Sequence, residues 1–181
     1  MRITGGVHRG RIIKVPDGLE VRPTQDRVRE ALFNIIQNEI RGARFLDVFA
    51  GSGAVGLEAL SRGAASAVFV ERSVRHIAFI KSNSAMLKLA PEIIQADAYQ
   101  YLAGFSGQPF DIIYADPPYA LGEEQGFESV LRNIVERNVL KSGGLFIAET
   151  TFRVKAEDLP DWDLCRDREY GKTRLIIWKR K

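Results

Sequence analysis

A strand, a glycine-rich turn and a helix follow one another between residues 45 and 60, and this order constrains the fold most. Residues 45–49 are apolar and strand-like, residues 51–56 read Gly-Ser-Gly-Ala-Val-Gly, and residues 57–60 favour a helix. A strand that enters a helix through glycines is typical of nucleotide-type cofactor sites, because the turn is tight and the backbone can approach a ligand. The segment predicts an α/β sheet with a cofactor at the end of its first strand.

Strand-like and helix-like segments alternate along most of the remaining chain. The further strand-like runs are residues 67–70, 92–95, 110–115 and 145–149. This alternation predicts a doubly wound, mostly parallel sheet. Two final β-prone runs, 164–170 and 173–179, are separated by two residues and predict an antiparallel hairpin. We therefore expect one Rossmann-like α/β domain with a mostly parallel seven-stranded sheet, an antiparallel C-terminal hairpin and a small N-terminal β-hairpin arm.

Two helices can be assigned a buried face from their apolar spacing. The first is expected to begin at a Thr24 cap and to end at Gly42. Arg22, Arg27 and Arg29 near its start could meet an anion, such as a cofactor carboxylate or a phosphate, or be solvated, and their position alone favours solvation. The second is expected to follow a Ser73 cap, with His76 on its surface. The residues predicted to point inward from the second helix are Val74, Ile77, Ala78, Ala85 and Leu89.

Three carboxylates come at the ends of successive predicted strands: Asp47, Glu71 and Asp97. Glu71 lies twenty residues after Gly51, where a carboxylate can accept hydrogen bonds from both ribose hydroxyls. Asp97 has two equally good uses, as an acceptor for an adenine amine or as a helix cap. A dinucleotide would place its pyrophosphate at the helix start, whereas S-adenosylmethionine has no phosphate and needs acceptors. The carboxylates favour S-adenosylmethionine.

The fourth strand runs into Asp116-Pro117-Pro118-Tyr119. Two prolines stop a strand and make the turn stiff, so a carboxylate, free carbonyls and an aromatic ring are held together. Such a set suits a flat heterocycle with an exocyclic amine, since the amine has two N–H donors and the ring a stacking face. A surface turn without function is the ordinary alternative. In a doubly wound sheet the first and fourth strands are neighbours, so the two turns should face one crevice.

Charge is unevenly distributed in this chain of net charge +3. Residues 1–44 hold nine Lys and Arg against five Asp and Glu, whereas residues 45–181 hold seventeen against eighteen. The excess includes Arg2, Arg9, Arg11 and Lys14, on a glycine-rich segment that can approach a phosphate backbone. We expect residues 1–23 to form a basic RNA-contacting arm and residues 24–181 the catalytic domain. A solvated hairpin is the alternative.

Several classes of site are disfavoured by composition. Cys165 is the only cysteine, and His8 and His76 are the only histidines, so neither a disulfide nor a zinc site is expected. No apolar stretch has the length of a membrane span, and the first residues lack the apolar core of a secretory signal. We expect a soluble, cytoplasmic protein with no metal and no membrane partner.

The motifs together resemble a known family. Residues 49–53 and 116–119 resemble the class I S-adenosylmethionine-dependent methyltransferases that act on exocyclic amines. The segments at 2–11, 22–34, 46–63 and 170–173 are similar to the bacterial RsmD-type guanine-N2 methyltransferases of 16S ribosomal RNA, over nearly the whole chain. Val21 departs from the Thr expected before Arg-Pro-Thr.

The resemblance implies specific roles for residues of this chain. The substrate would be one guanine of 16S RNA within the small ribosomal subunit. The amine-binding residues would be Asp116, Pro117, Pro118 and Tyr119, and the RNA contacts would be Arg2, Arg9, Arg11 and Lys14. The cofactor contacts would be Thr24, Asp47, Phe49, Ala50, Gly51, Ser52, Gly53, Glu71, Arg72, Asp97 and Ala98. An adenine-N6 DNA methyltransferase and an NAD-dependent oxidoreductase are the alternatives.

Overall fold

The structure, a computed structural model, describes residues 1–16, 26–117, 123–150 and 156–181, without the side chains of residues 123–128. The helices are α1 (Asp26–Ile35), α2 (Ala54–Ser61), α3 (Val74–Leu87), α4 (Ala98–Ala103) and α5 (Glu123–Glu136). The strands are β1 (Arg44–Asp47), β2 (Ser66–Glu71), β3 (Glu92–Gln95), β4 (Phe110–Ala115), β5 (Leu140–Thr150), β6 (Trp162–Tyr170) and β7 (Thr173–Arg180).

The strands form one sheet in the order β3-β2-β1-β4-β5-β7-β6. The pairs from β3 to β5 are parallel, and β7 runs antiparallel to both β5 and β6. The predicted α/β fold with a mostly parallel seven-stranded sheet and an antiparallel C-terminal hairpin is confirmed. None of the described helices is both long and apolar enough to cross a bilayer.

Hydrophobic side chains cover both faces of the sheet, as expected where helices pack on each side. Phe45 of β1 lies in one core cluster and Leu46 in the other, because successive strand residues point to opposite faces. Ile112 and Ile113 of β4 divide in the same way. Because the central strands are parallel, their carboxyl ends lie at one edge of the sheet, between the two hydrophobic layers.

The N-terminal arm pairs Arg2 with Ile12 through one antiparallel bridge, and Ile3 and Ile13 are buried in the core. Beneath it lies a buried ion network centred on Glu58 of α2, which accepts from the Thr4 amide and from Arg29 at 2.8 Å. The predicted solvation of Arg29 is wrong, because its side chain is fully buried against Glu58.

The boundary at residue 23 falls outside the described residues, so the division into arm and domain stays a prediction.

The predicted inward face of α3 is wrong at three positions, since Val74, Ala78 and Ala85 are exposed. Ile77 is buried as predicted, and Ile80 and Leu87 turn inward with it, because these residues recur at helical spacing and bury more apolar area than the alanines. Helix α1 also ends at Ile35 rather than near Gly42. Its β-branched end and the following Asn38 disfavour helix, although Ile36 and Ile40 still pack into the core.

Candidate active site

The glycine turn after β1 is held open by backbone conformation and by two carboxylates. Gly51 and Gly53 adopt positive φ angles of 53° and 78°, a conformation that is costly for other residues. The Gly51 amide donates to Glu71 Oε2 at 2.8 Å, and the Gly56 amide donates to Asp47 Oδ2 at 3.1 Å. A Cβ on Gly51 would meet open space, so the turn presents bare backbone to whatever lies above it.

Asp47 is a buried carboxylate with one unsatisfied oxygen. Asp47 is the last residue of β1 and is 1% exposed. Its Oδ1 has no hydrogen-bond partner in the described part of the chain. Burial raises the pKa of Asp47 to about 7, and the charges of Glu71 and Glu149 act in the same direction. A buried acceptor of this kind, among other carboxylates, favours a cationic donor such as an ammonium group.

The raised pKa of Asp47 predicts a specific pH dependence of stability. The carboxyl takes up a proton more readily in the folded state than at its ordinary value of 3.8, so its stabilising contribution is complete below about pH 4. That contribution falls by at most about 1.4 kcal/mol per pH unit as the pH rises to about 7. Asp47→Asn should remove this slope. Urea unfolding of both proteins between pH 5 and 8 measures it, and parallel curves would contradict the assignment.

Glu71 and Asp97 end the next two strands, as predicted. Glu71 is 10% exposed and also accepts from the Ser73 amide, so it orders both the glycine turn and the start of α3. Asp97 Oδ1 caps α4 by accepting from the amides of Tyr99 and Gln100. Helix capping is therefore one use of Asp97, and a role toward an adenine amine stays a prediction. The His76 side chain is 22% exposed, and its Nδ1 lies 3.5 Å from Glu71 Oε1, a contact that the sequence did not indicate.

The remaining predicted cofactor residues surround this turn unevenly. Ala50, Ser52 and Ala98 are buried, and Phe49 is half-buried with its ring edge-on to Tyr99 at 5.7 Å. Arg72 is exposed directly after β2. Thr24 lies outside the described residues. The Phe49 and Tyr99 rings form an apolar surface beside the carboxyl ends of β1 and β3.

The proline turn lies at the same edge of the sheet as the glycine turn. Strands β1 and β4 pair in parallel with Asp47 opposite Tyr114, and the Val48 amide donates to the Tyr114 carbonyl at 2.9 Å. Asp116 and Pro117 follow directly and are half-buried. Pro118 and Tyr119 lie outside the described residues. The first and fourth strands are therefore neighbours, as predicted, and the described parts of the two motifs lie at the same edge of the sheet.

The donor set fits S-adenosylmethionine and offers little to a metal ion. Asp47 has a buried, unsatisfied oxygen that could accept from an ammonium group, Glu71 ends the next strand, where a ribose would be expected, and Gly51 leaves space for close backbone approach. Across the described residues there is no group of three or more His, Cys, Asp or Glu side chains suited to a metal. The site is built from acceptors and open backbone.

Sequence reasoning missed two sets of residues near this site. Asn83 of α3 is fully buried, and its Nδ2 donates to the carbonyls of Ser52 at 3.2 Å and Lys14 at 2.8 Å. An asparagine three residues after Ile80 on the apolar stripe was the available signal. Tyr114 donates to Glu149 Oε2 at 2.5 Å under the site, a contact between β4 and β5 that no local pattern indicates.

The four cations predicted to bind RNA all lie on the described part of the arm. Arg9, Arg11 and Lys14 have exposed side chains. Arg2 is 71% exposed and lies 3.7 Å from Asp26. The arm therefore presents positive charge to solvent while its isoleucines anchor it, and RNA contact by these residues stays a prediction.

Comparison with known proteins identifies the family. The profile of the family described as Conserved hypothetical protein 95 matches residues 1–179. The chain belongs to this family. A Bacillus subtilis protein described as putative rRNA methyltransferase YlbH is 37% identical to this chain, and the match covers 100% of both chains. The Escherichia coli ribosomal RNA small subunit methyltransferase D is 35% identical over all of this chain and 90% of its own length.

Solved structures agree with this assignment. The Escherichia coli putative methyltransferase yhhF superposes with a TM-score of 0.87 at 34% identity, covering 100% of this chain and 98% of that chain. A Thermus thermophilus 16S rRNA N2 G1207 methyltransferase, solved with AdoMet and guanosine, shares the fold with a TM-score of 0.70 at 22% identity, covering 89% of this chain and 44% of that chain. The resemblance to RsmD-type methyltransferases is confirmed, and the family is one of methyltransferases.

Proposed function

We propose that this protein transfers a methyl group from S-adenosylmethionine to the exocyclic N2 amine of a guanine in the 16S RNA of the small ribosomal subunit. The observation that carries the proposal is the pairing of β1 with β4, which brings Gly51 and Asp116 to one edge of the sheet. The small-subunit activity named for the Escherichia coli relative supports the substrate class. Ribosomal subunits in bacteria are cytoplasmic, and a cytoplasmic location is therefore part of the proposal.

The residues after β1, β2 and β3 would hold the cofactor. S-adenosylmethionine supplies a methyl group on a positively charged sulfur. Asp47 would accept from the ammonium group, Glu71 from the ribose hydroxyls, and Gly51 would let the backbone lie against the ligand. The edge-on Phe49 and Tyr99 rings would border the adenine and exclude water from it.

The residues after β4 would act on the amine. The guanine amino nitrogen is a weak nucleophile because its lone pair is delocalised into the ring. The Asp116 carboxylate and the Pro117 carbonyl would accept hydrogen bonds from its N–H groups and turn the lone pair out of the ring plane. After transfer, the nitrogen would lose its extra proton to Asp116 or to water. Tyr119 would stack on the displaced base.

Product analysis tests the proposed function. The protein is incubated with labelled S-adenosylmethionine and either small ribosomal subunits that lack the modification or DNA, and the nucleic acid is then digested to nucleosides, whose masses are measured. Labelled N2-methylguanosine from the RNA is the expected result. Labelled N6-methyladenosine on DNA, with no label in RNA, would favour the adenine-N6 alternative. Binding of NADH with no binding of S-adenosylmethionine would favour the oxidoreductase.

The glycine turn gives a separate prediction about cofactor binding. Gly51→Ala places a methyl group in the open space where the cofactor would lie, so the affinity for S-adenosylmethionine should fall at least about tenfold. The positive φ makes the substitution cost about 1 to 2 kcal/mol of stability as well. Isothermal titration with S-adenosylmethionine measures the affinity.

Gly42→Ala is the matched control for this substitution. Gly42 also has a positive φ of 73° and open space around its Cβ position, but it lies before β1, at the other end of the strand. It should lose similar stability and keep its affinity for S-adenosylmethionine. Equal affinities for wild type and Gly51→Ala would place the cofactor away from this turn.

A further inference from the structure

Three segments of the chain hold four or more cations and no acid: residues 1–16, 72–91 and 170–181. In the last segment Arg174 and Lys181 form ion pairs with Asp167 and Asp163, so the first two segments are the ones considered further. Residues 1–16 hold Arg2, Arg9, Arg11 and Lys14, and residues 72–91 hold Arg72, Arg75, Lys81 and Lys88. Together they contain eight of the 26 Lys and Arg residues and none of the 23 Asp and Glu residues. All the acids therefore lie in the rest of the chain, where they outnumber the cations. Outside the C-terminal hairpin, positive charge is concentrated in the N-terminal arm and along helix α3.

These two segments lie side by side in the fold. The Asn83 side chain on α3 accepts from the Lys14 amide and donates to the Lys14 carbonyl, both at 2.8 Å. Asn83 is fully buried, and Ile13 of the arm and Ile80 of α3 belong to the same core cluster. The arm thus contacts α3 at Lys14, while its residues 4–8 pack against α2 through Glu58 and Ser61. We call the exposed sides of residues 1–16 and 72–88 the arm–helix surface.

The cations of α3 form no ion pair within the described residues. Arg75, Lys81 and Lys88 are exposed, and no ion pair with them is found among the parts of the chain that the structure describes. Arg75 lies in the first turn of α3, where a positive charge is unfavourable to the helix dipole, whereas Lys88 is the C-cap, where a positive charge is favourable. Helix stability therefore accounts for Lys88 but not for Arg75 or Lys81.

Exposed hydrophobic side chains mark the same surface. The large hydrophobic residues that are exposed in the described chain are Val7 (84%), Ile12 (72%), Val74 (67%) and Met86 (47%). Two belong to the arm and two to α3. Single exposed hydrophobic residues are ordinary, but their restriction to one cationic surface is typical of a region that contacts a partner.

We propose that the exposed face of α3 continues the RNA-binding surface of the arm, with Arg75, Lys81 and Lys88 contacting phosphates. The inference rests on the proposed function, which makes RNA the substrate. Charge complementarity selects RNA as the occupant, because a phosphate backbone matches a surface with cations and no acids. Helix α3 starts three residues after Glu71, so the arm–helix surface reaches the edge of the sheet where the candidate active site lies.

Charge removal on α3 tests this surface. The triple variant Arg75→Gln, Lys81→Gln, Lys88→Gln is compared with wild type for binding to unmodified small subunits between about 50 and 200 mM salt. Arg72 is left intact because it is a predicted cofactor contact. Each lost phosphate contact should reduce the slope of log affinity against log salt by about 0.7 to 0.9, so a change of about 2 to 3 is expected. Affinity for S-adenosylmethionine should be unchanged.

A matched control has the same charge change elsewhere. The control is the triple variant Arg132→Gln, Arg137→Gln, Lys179→Gln. It removes three exposed cations, one on α5, one directly after α5 and one on β7, and its salt slope should equal that of the wild type. An unchanged slope in the α3 variant overturns the inference. So does weaker binding with an unchanged slope, since that result indicates a protein contact instead of phosphates. A wild-type protein that binds no subunit overturns the proposed function itself.

A second measurement does not depend on lost affinity. With Cys165→Ser as background, Lys81→Cys carries a tethered iron chelate that cleaves nearby RNA by hydroxyl radicals. Cleavage of 16S RNA at a discrete position is expected from Cys at 81, and none from a chelate at Lys179→Cys. Bound subunits with equal or absent cleavage from both positions would overturn the proposed role of α3.

Discussion

Asp116→Ala should reduce the rate of methyl transfer by about 10²- to 10⁴-fold and leave the affinity for S-adenosylmethionine nearly unchanged. The carboxylate follows β4 directly, at the edge where the glycine turn also ends. It would act on the amine and not on the cofactor, so the loss should appear in the transfer step. Single-turnover transfer to unmodified small subunits measures the rate, and titration with S-adenosylmethionine measures the affinity.

Asp111→Ala provides the matched control, because Asp111 is on the same strand at the opposite end. Its carboxylate accepts from the Arg44 amide at 2.8 Å and from Lys141 at 2.6 Å, which are structural contacts. This variant should retain transfer and lose some stability. A fully active Asp116→Ala protein would remove Asp116 from the reaction, and equal losses in both variants would indicate a general folding defect.

Glu58→Ala should lower the free energy of unfolding by about 3 to 5 kcal/mol, the largest stability effect expected in this chain. Glu58 and Arg29 have fully buried side chains joined at 2.8 Å, and Glu58 also contacts Arg62 at 2.9 Å. Removing the carboxylate leaves the Arg29 charge buried without its main partner and frees the Thr4 amide. Urea denaturation at pH 7 measures the change.

Glu39→Ala tests whether the effect comes from burial rather than from charge. Glu39 is exposed after α1, and its replacement should change stability by less than about 0.5 kcal/mol. Loss of Glu58 should also loosen the arm, since Thr4 would no longer be bound, and hydrogen exchange at residues 2–13 should increase. A Glu58→Ala protein as stable as Glu39→Ala would contradict the expected contribution of the buried network to the free energy of unfolding.

The parts of the fold that could be predicted are those fixed by the local backbone. Glycines at 51 and 53 need positive φ, and the prolines after Asp116 end a strand, so both turns could be located from the sequence. The order of strands and helices then placed β1 beside β4 by a general rule of doubly wound sheets. Locally determined turns and a general topology rule were sufficient to bring the two motifs together.

The parts that could not be predicted depend on partners far away in sequence. Arg29 looks like a solvated charge until Glu58, 29 residues later, is packed against it. Asn83 is one polar residue on a helix, and its role appears only when Lys14 and Ser52 meet it. Apolar spacing assigned part of α3 to the wrong side, because small alanines fit either face. The predictions for Thr24, Pro118 and Tyr119 concern residues outside the described chain.

The most direct test of the central claim is a crystal structure of the protein with S-adenosylhomocysteine bound. We expect the adenosine to lie between the Gly51 turn and the Glu71 carboxylate, with the amino group at Asp47 and the sulfur directed toward Asp116. Cofactor density at another edge of the sheet, or a sulfur that faces away from Asp116, would contradict the claim that the ends of β1 and β4 form one catalytic site.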